Sequence, residues 1–349
     1  MEEKTINEKK KSSTKRIVSA VLLVLLLAYA VIAVAPRPVN FVGENPMMKD
    51  GELPILIAHG GGNKEFPDNT FEAFCNAYSV DKRMMIETDV SITADGVVIL
   101  SHDTTLDRKT NVTGKISDWN YTDLIAQRVD FGYDNPTENH ILAGERVKYT
   151  NYEGVEVTPL DVEYAEEIDH SHRDDEVFLA TTLEQMLVAF PDNKISIEIK
   201  QDGEEGKRAL DAVIGLLRLY DAFDRAILAS FHREVYSLFC EYREDGTVPD
   251  NFMYSPEIIG VAKFYLMQLF GLDLFYRDGV SVLQLPTDDY YVQLATETVV
   301  DFAHKHNIAV HYWTINDKDE MRRIISIGAD GITTDYPHRL AEVYAEYQD

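Results

Sequence analysis

Cysteine is almost missing from this chain of 349 residues: only Cys75 and Cys240 are present, too few for a disulfide framework or a four-thiolate zinc site. Isolated thiols of this kind are read as small buried apolar residues. Basic residues are also scarce, 33 Lys and Arg against 60 Asp and Glu, giving a formal charge of −27. Such a balance repels a phosphate backbone instead of releasing its counterions, which argues against nucleic acid as a partner. Neither an internal repeat nor a low-complexity tract is visible. What remains is 45% hydrophobic, enough to bury a sizeable core and to exclude a disordered chain.

The few basic residues are unevenly placed. Lys4, Lys9, Lys10, Lys11, Lys15 and Arg16 precede an uninterrupted apolar run from Ile17 to Ala35, and beyond it 27 basic residues face 57 acidic ones. As a helix the run spans roughly 28 Å, which matches the ~30 Å hydrocarbon core of a bilayer. Four segments follow: a cytoplasmic basic tail at 1–16, a transmembrane helix at 17–35, a linker at 36–52, and a domain at 53–349. The positive flank predicts a single-pass protein of the cell membrane, amino end cytoplasmic and large domain extracytoplasmic. Ala33-Val34-Ala35 resembles a signal-peptide cleavage site, but Pro36 would follow the scissile bond and the run exceeds the usual signal core. An uncleaved anchor is therefore the expectation.

From Leu53 onward, short strand-like runs alternate with helical patterns, the signature of an α/β domain with a parallel sheet. Strands are expected at Ile55–His59, Met84–Val90, Ile195–Lys200, Ala226–Phe231, Asn251–Tyr254, Ser281–Leu285, Ile308–Ile315 and Gly331–Asp335. Helices are expected at Asn69–Tyr78, Thr182–Phe190, Gly206–Tyr220, Arg233–Tyr242, Ile258–Phe270, Val292–His306 and Lys318–Ile327. Eight strands with helical crossovers fit a (β/α)8 TIM barrel better than an open doubly wound sheet. Asp95-Gly96 reads as a turn that folds Val97–Ser101 back on the second strand as a hairpin. The segment from about 104 to 180 carries no clean period and is rich in Asp, Glu, Asn and Tyr. It reads as a long insertion after the second strand, above the barrel mouth.

In such a barrel the chemistry lies at the carboxyl ends of the strands. His59 ends the first, Glu87 and Asp89 the second, His102 the hairpin, Glu198 and Lys200 the third, and Trp313 sits near the end of the seventh. Glu87 and Asp89, two apart on a strand, leave it on one face. With Glu198 they form three carboxylates whose repulsion a hard cation, Ca²⁺ or Mg²⁺, would relieve; an isolated Glu-x-Asp pair would instead read as a solvated strand face. His59 and His102 offer an acid/base pair, although a lone histidine is more often structural. Gly60, Gly61 and Gly62 could bring backbone N–H groups to a phosphate or simply form a tight turn. Asp169-His170-Ser171-His172 reads as solvated. The aromatic stretch 258–276 reads as core packing, an apolar wall or a face that touches the membrane.

These residues fall in ordered stretches: Ala58-His-Gly-Gly61, Pro67-Asp-Asn-Thr70, Ile86-Glu-Thr-Asp-Val90, Thr93-Ala-Asp-Gly96, His102–Arg108, Thr182-Leu-Glu-Gln185, Ile197-Glu-Ile-Lys200, Ser230-Phe231, Trp313-Thr-Ile-Asn316 and Gly328–Pro337. From about Leu53 to Tyr344 the chain thereby resembles the glycerophosphodiester phosphodiesterase family. The resemblance implies a TIM barrel, a divalent metal at Glu87, Asp89 and Glu198, and catalytic histidines at His59 and His102. Two stretches depart from the pattern: His59-Gly60-Gly61 replaces the usual His-Arg-Gly, and Pro67-Asp68-Asn69-Thr70 replaces Pro-Glu-Asn-Thr. Without the arginine, phosphate binding is expected to fall on Lys200, the turn at Gly60 and Gly61, and the metal, with Asp68 and Trp313 also meeting the substrate.

The function implied is metal-dependent hydrolysis of glycerophosphodiesters to glycerol 3-phosphate and an alcohol by a phosphoric diester hydrolase. Two alternatives stand beside it: a lysophospholipase D-like enzyme or envelope glycerophosphate-polymer hydrolase acting on lipid-derived phosphodiesters, and an inactive ligand-binding barrel. The sequence points to no protein partner.

Overall fold

The computed structural model describes residues 2–132, 149–150, 156–157, 164–170, 178–289 and 292–347. Eight parallel strands line up in chain order: β1 (Ile55–His59), β2 (Met85–Ile92), β3 (Ile195–Ile199), β4 (Ala226–Ala229), β5 (Met253–Tyr254), β6 (Val282–Leu285), β7 (Ala309–Tyr312) and β8 (Gly331–Thr334). Hydrogen bonding runs β5-β4-β3-β2-β1-β8-β7-β6. The first and last strands pair, Ile55 beside Gly331, and the sheet wraps into a nearly closed TIM barrel. Around it lie α2 (Phe71–Val80), α3 (Leu183–Ala189), α4 (Gly203–Leu219), α5 (Arg233–Glu244), α6 (Ile258–Leu269), α7 (Glu297–Lys305), α8 (Lys318–Ser326) and α9 (Pro337–Ala345). A long helix, α1 (Glu2–Val34), precedes them.

Local signals explain the boundaries. The Thr70 side chain accepts from the Ala73 N–H and starts α2; Thr182 and Gln185 form a capping box at α3. Thr296 caps α7 through the Val299 N–H. That cap corrects the expected start of α7 at Val292, because Val292 and Gln293 instead pair antiparallel with Asp288 and Asp289. The expected hairpin is present: Val98–Leu100 runs antiparallel to β2, with Ile92 opposite Val98. Gly96 sits at φ +86° in its turn, a conformation open to glycine at little cost.

The stretch 36–52 does more than link. Met47 is fully buried and Phe41 nearly so, packed against Ile57, Met85, Ile227, Met253, Val282 and Ala309 at the amino-terminal end of the barrel. Asn45 donates to the carbonyls of Ser281 and Asn307, and the Met47 carbonyl meets His311 Nε2 at 2.8 Å. A segment whose composition suggested a spacer therefore plugs one end of the barrel and ties α1 to it.

Within the expected insertion, residues 104–132 contain a 3-10 turn at Ile116–Asp118 and a short helix at Tyr121–Ala126. They share a small core of Leu106, Ile116, Leu124, Val129 and Phe131 with Ile99 of the hairpin. Most of the segment beyond lies outside the described residues, including Ser171 and His172; His170 stacks on Tyr164 with ring centroids 4.2 Å apart. Cys75 is buried as expected, whereas Cys240, on the outer layer in α5, is only partly so.

Candidate active site

Five of the expected residues, His59, Glu87, Asp89, His102 and Glu198, line one cavity of about 480 Å³ at the carboxyl ends of the strands. Lys200 and Trp313 line it too, and its other side is apolar, with Phe231, Ile258, Val261, Leu285 and Leu294. The strand register brings the carboxylates together: Asp89 sits opposite Glu198 across β2 and β3, and His59 opposite Glu87 across β1 and β2. One oxygen from each of Glu87, Asp89 and Glu198 lies within 4.8 Å of the others.

Their environments differ. Lys200 Nζ bridges Asp89 Oδ1 at 3.0 Å and Glu198 Oε1 at 2.8 Å. Burial pushes Asp89 up, but Lys200 and the two histidines outweigh it and hold the carboxyl below its ordinary range. Glu198 is raised by burial and by Asp89. Glu87 accepts from the Gly60 N–H at 3.1 Å, and burial followed by the Asp89 charge pushes it up to about 7. One carboxylate charge in this cluster is thus poorly compensated by the side chains around it. A hard divalent cation with oxygen ligands fits that donor set.

The two histidines are each held by a carboxylate at Nδ1. His59 Nδ1 lies 2.7 Å from Asp335 Oδ1, and Asp335 is itself fixed by the Asn316 amide, which donates to Oδ2 at 2.7 Å. Burial would lower His59, but the Asp335 hydrogen bond and the charges of Glu87, Asp335 and Asp89 raise it to about 10. His102 Nδ1 lies 3.0 Å from Asp103 Oδ1 and is also raised, chiefly by that contact; Arg108 in turn pairs with Asp103. A carboxylate at Nδ1 fixes the tautomer and directs Nε2 toward chemistry.

Asp335, Asn316 and Asp103 carry no role in the sequence reading, because each acts through another residue: Asp335 on His59 from across the sheet, Asn316 on Asp335, and Asp103 on the adjacent His102. Asn69 is a fourth: its amide donates to Asp89 Oδ2 and Asp68 Oδ2, and its Oδ1 accepts from the Asp89 N–H and the Thr88 hydroxyl. It orients the Asp89 carboxylate.

The Gly60 N–H donates to Glu87 and the Gly61 N–H to the Ala58 carbonyl, so both donors are engaged within the protein. Glycine is required for another reason: a Cβ at Gly61 would lie 2.8 Å from the Ala73 carbonyl carbon in α2. Asp68 faces Lys109, with Oδ1 2.9 Å from Nζ, both side chains buried, and it does not line the cavity. The two departures from the family pattern are neighbours, since a Cβ at Gly60 would meet Asp68 Cβ at 2.9 Å. On this backbone an arginine at 60 would require Asp68 to shift.

Asp335→Asn tests the positioning role. Removing the charge that raises His59 should bring its pKa down toward the ordinary value near about 6.5 and lower turnover by at least about 10-fold. A histidine NMR titration unchanged from the parent would contradict that role.

Residues 59–339 match the model of the Glycerophosphoryl diester phosphodiesterase family. A glycerophosphodiester phosphodiesterase from Caldanaerobacter subterraneus subsp. tengcongensis is 27% identical over 286 residues, covering 82% of this chain and 96% of that protein. A lysophospholipase D from Rattus norvegicus is 24% identical over 307 residues, covering 82% and 84%. Among solved structures, the glycerophosphoryl diester phosphodiesterase domain of a Mycobacterium tuberculosis protein superposes with a TM-score of 0.59 at 18% identity, over 84% of this chain and 99% of that one. An Oleispira antarctica phosphodiesterase in complex with the product sn-glycerol-3-phosphate gives 0.56 at 18%, over 84% and 97%. With the family's match running through nearly the whole barrel, this chain belongs to the glycerophosphoryl diester phosphodiesterase family of enzymes.

Proposed function

We propose that the cavity hydrolyses glycerophosphodiesters to glycerol 3-phosphate and an alcohol, with a divalent cation, Ca²⁺ or Mg²⁺, held by Glu87, Asp89 and Glu198. The observation that carries this is the meeting of three carboxylates, two buried and one partly so, with two carboxylate-held histidines in one cavity. Bound there, the cation supplies positive charge to the phosphate and to the glycerol hydroxyls. Lys200 adds a further positive charge beside it. The histidines move protons: one takes the proton of the attacking oxygen as its bond to phosphorus forms, and the other protonates the alcohol oxygen as its bond to phosphorus breaks. Trp313 and the apolar wall receive the carbon skeleton of the substrate.

Cation binding should be sensitive to pH. Glu87 must give up its proton to act as a ligand, and its raised value of about 7 puts that competition near neutrality. Apparent affinity should therefore fall roughly tenfold between about pH 8 and about pH 6. Calorimetric titration of Ca²⁺ or Mg²⁺ at the two pH values reads this directly, and equal affinities would remove Glu87 from the ligand set.

A second reading, favoured by the apolar side of the cavity and by the similarity to a lysophospholipase D, gives the substrate an acyl chain. The two readings separate by product, glycerol 3-phosphate from glycerophosphocholine against lysophosphatidic acid from lysophosphatidylcholine. We assign α1 the role of an uncleaved anchor in the cell membrane: Lys15–Ile32 is long and apolar enough to cross a bilayer, and none of it is buried. The basic residues before it support an amino end in the cytoplasm and a barrel outside. Protease added to intact cells should then digest the barrel; protection equal to that of a cytosolic marker would overturn the orientation.

A further inference from the structure

Helix α6 is built inside out compared with its neighbours. Its outward stripe, Ile259, Ala262, Lys263, Leu266, Leu269 and Phe270, is apolar but for one lysine, where α8 shows Lys318, Asp319 and Arg322. Among the described residues of the barrel domain, seven of the twelve exposed large apolar side chains gather here: Ile258, Ile259, Leu266, Leu269, Phe270, Leu272 and Phe275. A solvent-facing helix normally carries its apolar stripe toward the core, and an apolar patch of this extent marks an interaction surface.

The position of α1 says what covers it. The turn after α6 packs on the anchor: a Cβ at Gly271 would lie 3.2 Å from Tyr29 Oη. Arg37 fastens the two together, its Nε donating to buried Asp273 Oδ2 and its Nη1 to the Ile32 and Ala35 carbonyls that end α1. Tyr29 stands six residues before Ala35, the end of the apolar run, which at 1.5 Å per residue is roughly 9 Å below that end. A turn touching Tyr29 is therefore held at the depth of the bilayer's outer apolar layer, the depth at which interfacial helices bury their apolar face, about 5–10 Å.

We propose that the apolar face of α6 and the turn Phe270–Phe275 insert into the outer leaflet of the same bilayer that α1 crosses. The inference rests on the anchor reading of α1 and deepens it: the barrel is not tethered at a distance but seated on lipid. The acidic domain makes electrostatic attraction to anionic lipid an unsuitable driving force; burial of apolar surface is the driving force, so insertion should persist at high salt. The start of α6, Ile258 and Val261, lines the catalytic cavity, so the seated helix joins the bilayer to the apolar side of the site.

The test uses the full chain with Cys240→Ser, in phosphatidylcholine nanodiscs, carrying one environment-sensitive fluorophore at Phe270→Cys. Controls carry the label at Val24→Cys in α1 and at Leu219→Cys, exposed at the end of α4. Leu266→Cys replaces Phe270→Cys should the latter fail to fold, as judged by activity on a water-soluble glycerophosphodiester. The expected result is blue-shifted emission and loss of intensity with doxyl-labelled phosphatidylcholine at positions 24 and 270, unaffected by high salt, and neither at 219. Quenching at 24 but not at 270 would overturn the proposal while leaving the anchor. A blue shift at 270 without lipid quenching would mean that a second copy or another protein covers the face, which also overturns it. Loss of quenching at 24 would defeat the anchor reading and the proposal with it.

Discussion

His59→Ala is expected to lower turnover by about 10²–10⁴-fold, the contribution of a positioned proton-transfer group, and His102→Ala to do the same. Both histidines line the cavity and both have Nδ1 committed to a carboxylate. The loss should fall on kcat, because the carboxylates, Lys200 and the apolar wall that hold the substrate stay in place. Side effects should differ. His59→Ala strands Asp335, buried with only Asn316 left as its amide partner, so a fall in thermal stability is expected alongside the fall in rate. The more exposed His102 should leave stability almost unchanged. Steady-state kinetics with a thermal melt separates the two effects, and a variant that turns over near the parent rate would remove that histidine from the mechanism.

Glu87→Gln should abolish cation binding and activity together, yet leave the cation-free protein more stable. Burial and Asp89 raise the Glu87 pKa to about 7, so the folded state binds this proton more tightly than the unfolded chain does. The resulting penalty is absent at pH values below the unfolded pKa and fully developed above the folded one. At neutral pH it is on the order of 1–3 kcal/mol, which a neutral glutamine of the same shape removes. Denaturant melts in chelator at neutral pH should show the variant ahead of the parent, and excess cation should reverse the order because only the parent binds it. Equal stability in chelator would mean that Glu87 is not under electrostatic strain. Such strain is the usual cost of a preorganised site.

Much of this was legible in the sequence, for identifiable reasons. The parallel strands are short apolar runs bounded by turn residues, and charged groups mark their carboxyl ends, so His59, Glu87, Asp89, Glu198 and Lys200 stand out in the sequence as candidates, and they line one cavity. What escaped were residues that act across strands. Asp335 serves His59 from just beyond the end of β8, 276 positions away in the chain, and no local spacing encodes that pairing. The internal roles of the glycine turn were not legible because periodicity cannot tell where an N–H points: Gly60 donates to Glu87, and Gly61 allows close packing on α2. The packing of the linker was not legible because its composition is that of a spacer, while Phe41 and Met47 are core residues. The composition of the aromatic stretch 258–276 fits core and surface alike. Phe264 and Tyr276 are buried while Leu266, Phe270 and Phe275 are exposed, so it divides between the two.

The most direct test of the account is the release of glycerol 3-phosphate from glycerophosphocholine by the purified full chain, followed in chelator and then with Ca²⁺ or Mg²⁺ restored. Hydrolysis should stop in chelator, return with one of the two ions, and fail to return in Glu87→Gln at any concentration of either. Undiminished release of glycerol 3-phosphate in excess chelator would contradict the assignment of Glu87, Asp89 and Glu198 as a cation site and, with it, the mechanism built on them.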